Sequence, residues 1–535
     1  MSSKFAQPEN VFDVAISGYG PTGLAAASLL AQRGHSVCVF ERWPTLYGQP
    51  RIATIDGESA RIIQAAGDAE HAFRNSVSRP RYLLANGEGK VLVDFDWSGE
   101  HVCGHPFRIS LHQPDIEDAM DARARMAGAQ INTGWEVCGI EQAEDFVAVT
   151  AQQRDSDAKR VIRARYVIGA DGARSVTREL LGIERESWPF RGAWFTVDAT
   201  RKRELPDFLG QSPDGRIAAI FCAPEGRAHS IIPLGKDVIR INFQIDPDVD
   251  RKSVADPAIA YRYLKETYGL TSDDLEVFRQ AVHVFEGRLA SQWRKGRVFI
   301  AGDAAHAMTP FMGQGGCSAL RDSANLSWKL DLVLRGMAAD KLLDSYEAER
   351  KPHARYYVHG SDRLGALAFI GDKAAARQRD EVYVNQPAAP AQAEPIIKHG
   401  ILHLDAAQQP IAPAGEVGPQ ALVIWQGRKA LFDDIFGWGF QILYRGISPE
   451  QILRADQLVK LSEIKCALAG IGSGTSRELV QDITGRFEKF FGEHGINGLI
   501  LRPDFVIYAG LHAPEDMVQR VDELIAQVTA STSSP

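Results

Sequence analysis

The sequence predicts an α/β fold headed by a dinucleotide-binding unit, and three observations carry that prediction. Phe12–Arg42 reads as strand, glycine turn, helix, strand, acid. Two later apolar strands, Tyr166–Ile168 and Val298–Ala301, each run into a turn bearing Gly and Asp. Between them, over about 185–286, stretches such as RGAWFTVDA, AHSIIPLG and VIRINFQI alternate as half-buried strands do.

The elements follow in order. FDVAIS suits a buried parallel strand. In Gly18-Tyr19-Gly20-Pro21-Thr22-Gly23, Gly18 permits a tight turn and Gly20 leaves room for a pyrophosphate. Gly23 lets the helix opened by Pro21 and Thr22 pack on the strand, and that helix is expected to stop at Gly34. A second strand, Ser36–Phe40, delivers Glu41 beside Arg42, where a carboxylate accepts hydrogen bonds from a ribose. This much fits NAD and FAD equally. Taken alone, GADGARS around Asp171 also admits a reading as a turn with an N-cap. AGDAAH ends a strand at Asp303, and a glycine-rich loop, Pro310–Gly316, precedes a helix with Leu326, Leu330, Val333 and Leu334 at helical spacing. Free amides at Gly315, Gly316 and Cys317 make that helix start electropositive.

The three motifs, in this order and this far apart, resemble the FAD-dependent aromatic hydroxylases of the p-hydroxybenzoate hydroxylase type. Within that family, MGQGGCSALRDSANLSWKL and the C-terminal region look most like the 3-(3-hydroxyphenyl)propionate hydroxylase and phenol hydroxylase branch. The resemblance implies FAD as cofactor, NADPH or NADH as transient reductant and O2 as co-substrate. Through a C4a-hydroperoxyflavin, one oxygen would pass to a phenolic ring; expulsion of a nitro or halide substituent from the attacked carbon is a variant that the sequence allows without choosing it. It also implies cofactor contacts for Gly18, Gly20, Pro21, Thr22, Gly23, Glu41, Arg42, Arg51, Gln113, Asp171, Asp303, Pro310, Gly313, Gly315, Gly316 and Cys317. Asp303 would meet a ribityl hydroxyl, Gln113 the ribityl region, Arg51 the pyrophosphate, and the helix start the pyrimidine edge. Close relatives often carry Met where Gly316 stands and Gly where Ala319 stands.

The implied architecture is a Rossmann-like FAD-binding domain (1–184 and 287–371) with an inserted mixed-sheet substrate domain (185–286). A linker (372–398) leads to a thioredoxin-like C-terminal domain (399–535) that has no CxxC. There, Pro419–Trp425, Gln457–Leu461 and Phe505–Tyr508 read as strands, and Glu347, Glu349, Arg350 and Lys351 read as a solvated, ion-paired helix face. No catalytic residue is assigned. The substrate-pocket candidates are Trp194, Phe221, His229, Arg240 and Pro310. Core packing competes for Trp194 and Phe221, a structural role for His229, and an outward position for Arg240.

A formal charge of -8 argues against nucleic acid as partner. Six scattered cysteines show neither metal-ligand spacing nor a redox pair and fit a reduced cytoplasm. No apolar run of about 18 residues predicts a membrane span. The expected partner is a small phenolic substrate, with a homodimer left open. Two other readings share these motifs: a tailoring hydroxylase or epoxidase of a polycyclic natural product, and a flavin-free scaffold of the same fold.

Overall fold

The computed structural model describes residues 11–206, 218–222, 227–384, 395–472 and 478–529. Three large sheets organise them. The first holds parallel strands in the order Val298–Ile300, Lys159–Gly169, Phe12–Ser17, Val37–Glu41 and Gln130–Thr133. Val14, Ala15, Ile16, Val37 and Val39 are at most 1% exposed, as strands covered on both faces require. The helix Pro21–Gln32 crosses between the first two strands and packs on the long helix Gly315–Leu334.

The second sheet has eight strands. Its centre is the pair Arg185–Arg201 and Leu275–Ala290. It also takes Arg81–Asn86 and Val91–Asp96, from ahead of the 185–286 segment, the former running parallel to Ala218–Cys222. One face packs on the helix Pro257–Tyr268 through Phe195, Ile241 and Phe243, and the other faces the loop at Pro310.

The third sheet carries the thioredoxin-like pattern. Gln441–Arg445 and Ala467–Gly472 pair in parallel across a helix, and Gly498–Leu501 with Ile507–Leu511 forms an antiparallel hairpin before the helix Pro514–Thr529. Gln457–Leu461 is not a strand: it lies in the helix Ala455–Glu463, where Gln457 and Leu461, four apart, are its buried face. In the expected linker, Lys373–Val384 is a helix, and 385–394 fall outside the described residues.

The expected solvated face on the helix Asp344–Ala368 is half wrong. Glu347 and Lys351 do form an i,i+4 pair at 2.8 Å. Glu349 and Arg350, each 2% exposed, are instead the centre of a buried charge network. Glu349 takes Lys329 at 2.9 Å and Arg502 at 2.7 Å, and Arg350 takes Asp322 at 3.0 Å. The network ties the C-terminal sheet to the helices Gly315–Leu334 and Asp344–Ala368, and Arg61, bound to Asp433 at 2.6 Å, makes a second tie.

Candidate active site

At the nucleotide end, Gly18 adopts φ +95, and a Cβ there would lie 2.4 Å from the Ala170 carbonyl oxygen. A Cβ on Gly23 would lie 2.1 Å from the Gly18 oxygen, so the helix can approach only as glycine allows. At Gly20 the same atom would meet nothing within 4 Å, which leaves the cradle a pyrophosphate needs. Pro21 begins the helix, and buried Thr22 accepts the Ser323 hydroxyl at its carbonyl, 2.9 Å away. Glu41 accepts the Tyr19 amide at 2.7 Å and the Trp43 amide at 3.0 Å, which fixes its carboxylate at the strand end. Arg42 lies outside this turn, 3.6 Å from Glu136.

Asp171 is occupied locally. It accepts the Thr177 amide at 2.8 Å and the Ser175 hydroxyl, and so secures the start of the helix Val176–Leu180. Asp303 differs: it is solvent-exposed and, among the described residues, no hydrogen bond reaches its carboxylate. Surrounding protein raises its carboxyl pKa, while His306 and Arg51 pull it back. A carboxylate left open at a strand end beside the nucleotide cradle fits a polyol hydroxyl.

The loop after it is Pro310–Met312 in one 3-10 turn, Gly313 at φ +64, and the helix from Gly315. Pro310 is exposed, whereas Cys317 is buried and burial pushes its thiol to about 12, so the thiol is inert. A Cβ on Gly316 would lie 2.7 Å from Ile52, so glycine there sets how closely the loops meet. Behind the helix start, Arg321 binds Asp56 and Glu58, each at 2.5 Å, and Gln314 bridges to both Asp56 (3.1 Å) and Arg321 (2.8 Å). Burial alone would raise Asp56, but Arg321 and Arg108 outweigh it and hold that carboxyl well below the usual range.

Arg51 lies exposed over the Tyr47 ring at 4.3 Å. Gln113 is 2% exposed, and its oxygen accepts the amides of Arg51 (2.7 Å) and Ile52 (2.8 Å) while its nitrogen donates to Glu117. It therefore shapes the Arg51 loop. Arg240 does the same from the roof: it binds Asp198 at 2.7 Å and donates to the carbonyls of Pro50 and Arg51. With its guanidinium so committed, Arg240 is not free for a substrate carboxylate.

Strand alternation sorts the remaining candidates. Trp194 faces the loop and packs with Phe369 (4.7 Å between centroids), Phe311 (5.9 Å) and Phe285 (6.3 Å). Phe221 and His229 stack on each other at 4.6 Å on the opposite face, against Tyr268. Burial holds His229 to about 4, its Nδ1 lies 2.6 Å from the Tyr268 hydroxyl, and neither residue reaches the loop. The sequence reading missed His283, directly across from Trp194 in register. The Arg279 guanidinium donates to its Nε2 at 3.1 Å, which leaves the proton of the neutral ring on Nδ1. Burial first, then Arg279, Arg240 and Arg51, hold His283 neutral, at about 4. The signal was present: Arg279, His283 and Phe285 share one parity in an alternating strand.

The comparisons agree with this geometry. The family model described as FAD binding domain matches residues 11–361, and one described as HcaD C-terminal domain matches 415–527. A probable NADH-specific resorcinol 4-hydroxylase of Rhodococcus jostii (strain RHA1) is 33% identical, across 100% of this chain and 99% of its own length. The chain belongs to the FAD-dependent aromatic hydroxylases. Another relative of this hydroxylase is the 3-(3-hydroxy-phenyl)propionate/3-hydroxycinnamic acid hydroxylase of Mycobacterium sp. (strain KMS), 30% identical over 92% of this chain and 87% of its own. Two solved structures share the fold. The flavin-dependent monooxygenase PieE, in complex with FAD and substrate, has a TM-score of 0.78 at 21% identity and covers 98% of this chain and 99% of its own. Aklavinone-11 hydroxylase with FAD and aklavinone has a TM-score of 0.76 at 24% identity, covering 98% and 100%. The hydroxylase uses FAD, and no helix among its described residues is long and apolar enough to cross a membrane.

Proposed function

We propose that this hydroxylase adds oxygen to a small phenolic ring with NADH as reductant. The observation that carries the reading is the aromatic wall of Trp194, Phe285 and Phe369 packed on Phe311, one residue into the loop bordering the flavin position. The full-length likeness to a relative named for NADH and resorcinol supports it. FAD, when bound, supplies the activation of O2 with electrons from the nicotinamide.

This chain's residues do the rest. Gly18, Gly20 and Gly23 receive the pyrophosphate, Glu41 the ribose and Asp303 the ribityl chain. The helix start at Gly315, Gly316 and Cys317 offers amides to the pyrimidine edge, and the wall keeps water from the ring. His283 Nδ1–H donates to the phenolic oxygen and orients the ring. In this reading 1–184 and 287–371 serve the cofactor, 185–286 with strands from 81–96 form the roof, 372–398 connect, and 399–535 stabilise the assembly. The cytoplasm is the inferred location, because all six cysteines are free.

The test is a panel of simple phenols, resorcinol among them, given to the FAD-loaded protein with NADH. One phenol should accelerate NADH oxidation about tenfold or more, a barrier drop of roughly 1.4 kcal/mol, and yield a product heavier by one oxygen. No acceleration and no product across the panel would sink the reading. Asp303→Ala should lower the FAD retained after gel filtration; undiminished FAD content would remove Asp303 from the cofactor site.

A further inference from the structure

The least explained acid in the molecule is Glu117, on the helix Gln113–Met126. It is 1% exposed, and among the described residues its carboxylate pairs with no cation. Oε1 accepts the Gln113 side-chain amide at 2.6 Å, and Oε2 is enclosed without a partner. Elsewhere buried carboxylates are matched: Asp56 by Arg321, Asp198 by Arg240, Asp322 by Arg350, Glu349 by Lys329 and Asp433 by Arg61. Burial raises the Glu117 carboxyl, and the amides of Gln113 and Gly48 offset only part of that rise. An acid in that setting is unfavourable, and its one close contact is with Gln113.

The other end of Gln113 is the loop that bears Arg51. Its Oε1 accepts the amides of Arg51 and Ile52 at 2.7 and 2.8 Å. The carbonyls of the same loop are taken by the roof. Arg240 donates to Pro50 and Arg51, Arg279 donates to Pro50 at 3.3 Å, and both guanidinium groups pair with Asp198. The backbone at 50–52 is thus gripped through its amides and its carbonyls, while the Arg51 side chain stays exposed over Tyr47. The Arg51 charge lowers both the Asp303 carboxyl and the His283 imidazole, so it stands within reach of each. We propose that Glu117 is a positioning residue for Arg51. By fixing the Gln113 amide it clamps 50–52, and so sets where the guanidinium meets a dinucleotide diphosphate. A planar guanidinium suits a diphosphate, and FAD and the reductant each carry one. The inference rests on the proposed function only in taking FAD and NADH as the dinucleotides at this site.

FAD-loaded wild type, Glu117→Leu and Glu117→Gln are compared at full length. Limited trypsin digestion tests the clamp, because Arg51 is itself a cleavage site. Glu117→Leu cannot accept from Gln113, so cleavage after Arg51 should be about tenfold faster than in wild type, with other sites unchanged. Glu117→Gln keeps an acceptor oxygen and should stay within about twofold of wild type. Anaerobic flavin reduction and FAD release on dilution then separate the two diphosphates. If the reductant is met, Glu117→Leu should raise the NADH half-saturation about fivefold with a smaller change in limiting rate. If the cofactor is met, FAD release should be faster by as much. Cleavage after Arg51 that is no faster in Glu117→Leu, or that rises at every site alike, overturns the clamp. So does a Glu117→Gln loop as loose as that of Glu117→Leu. Wild-type values for both NADH and FAD overturn the positioning role. A wild-type flavin that NADH does not reduce would overturn only the proposed reductant, because cleavage and FAD release still decide on Glu117.

Discussion

The cofactor end and the seam to the C-terminal sheet are built by opposite means. In the proposed cofactor site, Gly18–Gly23 offer backbone geometry: small residues, open space at Gly20 and no charged side chain within the turn. At the seam, Lys329, Glu349, Arg502 and Asp504 are buried together, with Glu349 and Arg502 interacting across 153 positions of sequence. In that reading the first region receives a polyanion and releases none of its own structure. The second must hold two domains in one register. The difference teaches that space serves the ligand here and charge serves assembly.

The seam should break most expensively. Glu349 is held at about 2, because Arg502 and Lys329 outweigh the rise that burial alone would bring. Glu349→Ala leaves both cations buried without their shared partner and removes one of the two acceptors of the Asn325 amide, which keeps Asp504 at 2.7 Å. Such a removal costs about 3–5 kcal/mol. Urea unfolding should show a midpoint lowered accordingly, with FAD content per folded molecule unchanged. A midpoint near wild type would mean that the network does not hold the seam.

At the cofactor end the two inner glycines should separate. A Cβ on Gly23 collides with the Gly18 carbonyl, so Gly23→Ala should cost roughly 1–3 kcal/mol of stability and most of the FAD. A Cβ on Gly20 meets no protein atom within 4 Å, so Gly20→Ala should leave the FAD-free melting temperature near wild type and still weaken FAD retention. Equal losses of stability in the two variants would contradict the claim that Gly20 is kept open for the ligand.

These contrasts explain what the sequence could be made to say. Gly18, Gly20, Gly23 and Glu41 are local: their spacing is the geometry, and the strand and helix around them followed within a residue or two. Asp171 and Asp303 were found by the same logic, yet only the structure separates a carboxylate that secures a turn from one left open. Trp194, Phe221 and His229 were named without their facing, since one step of strand register reverses it. Glu349 and Arg350 were misread because an i,i+4 pattern of acids and bases looks the same on a wet face as in a buried seam. Arg502, which decides the matter, lies far along the chain. His283 carries no motif at all.

Acid should separate the roof and the outer sheet face from the seam. Burial depresses His283, His229 and His105, each to about 4. Their folded pKa values lie below the ordinary value near 6.5, so the folded state excludes a proton that the unfolded chain accepts. Their neutrality thus costs no stability above about pH 6.5, and stability falls between about pH 6.5 and 4 by up to roughly 1.4 kcal/mol per pH unit for each. His229→Phe removes one such group at a site with no cofactor role. Its plot of unfolding free energy against pH should be shallower over that interval, with phenol-stimulated NADH oxidation unaltered; an unchanged slope would mean that His229 is not held neutral.

The smallest effect sharpens the comparison within a single helix. Lys351 lies two residues from Glu349 and pairs with Glu347 at 2.8 Å, with both side chains partly in water. Its ammonium also reaches the Ser291 carbonyl. Lys351→Ala should cost about 0.5 kcal/mol or less, because an exposed i,i+4 pair is screened and its side chains lose entropy on pairing. Urea midpoints for Lys351→Ala and Glu349→Ala, measured side by side, then test burial and not charge as the variable. If the exposed pair cost as much as the buried one, the seam would owe its strength to the helix rather than to its isolation from water.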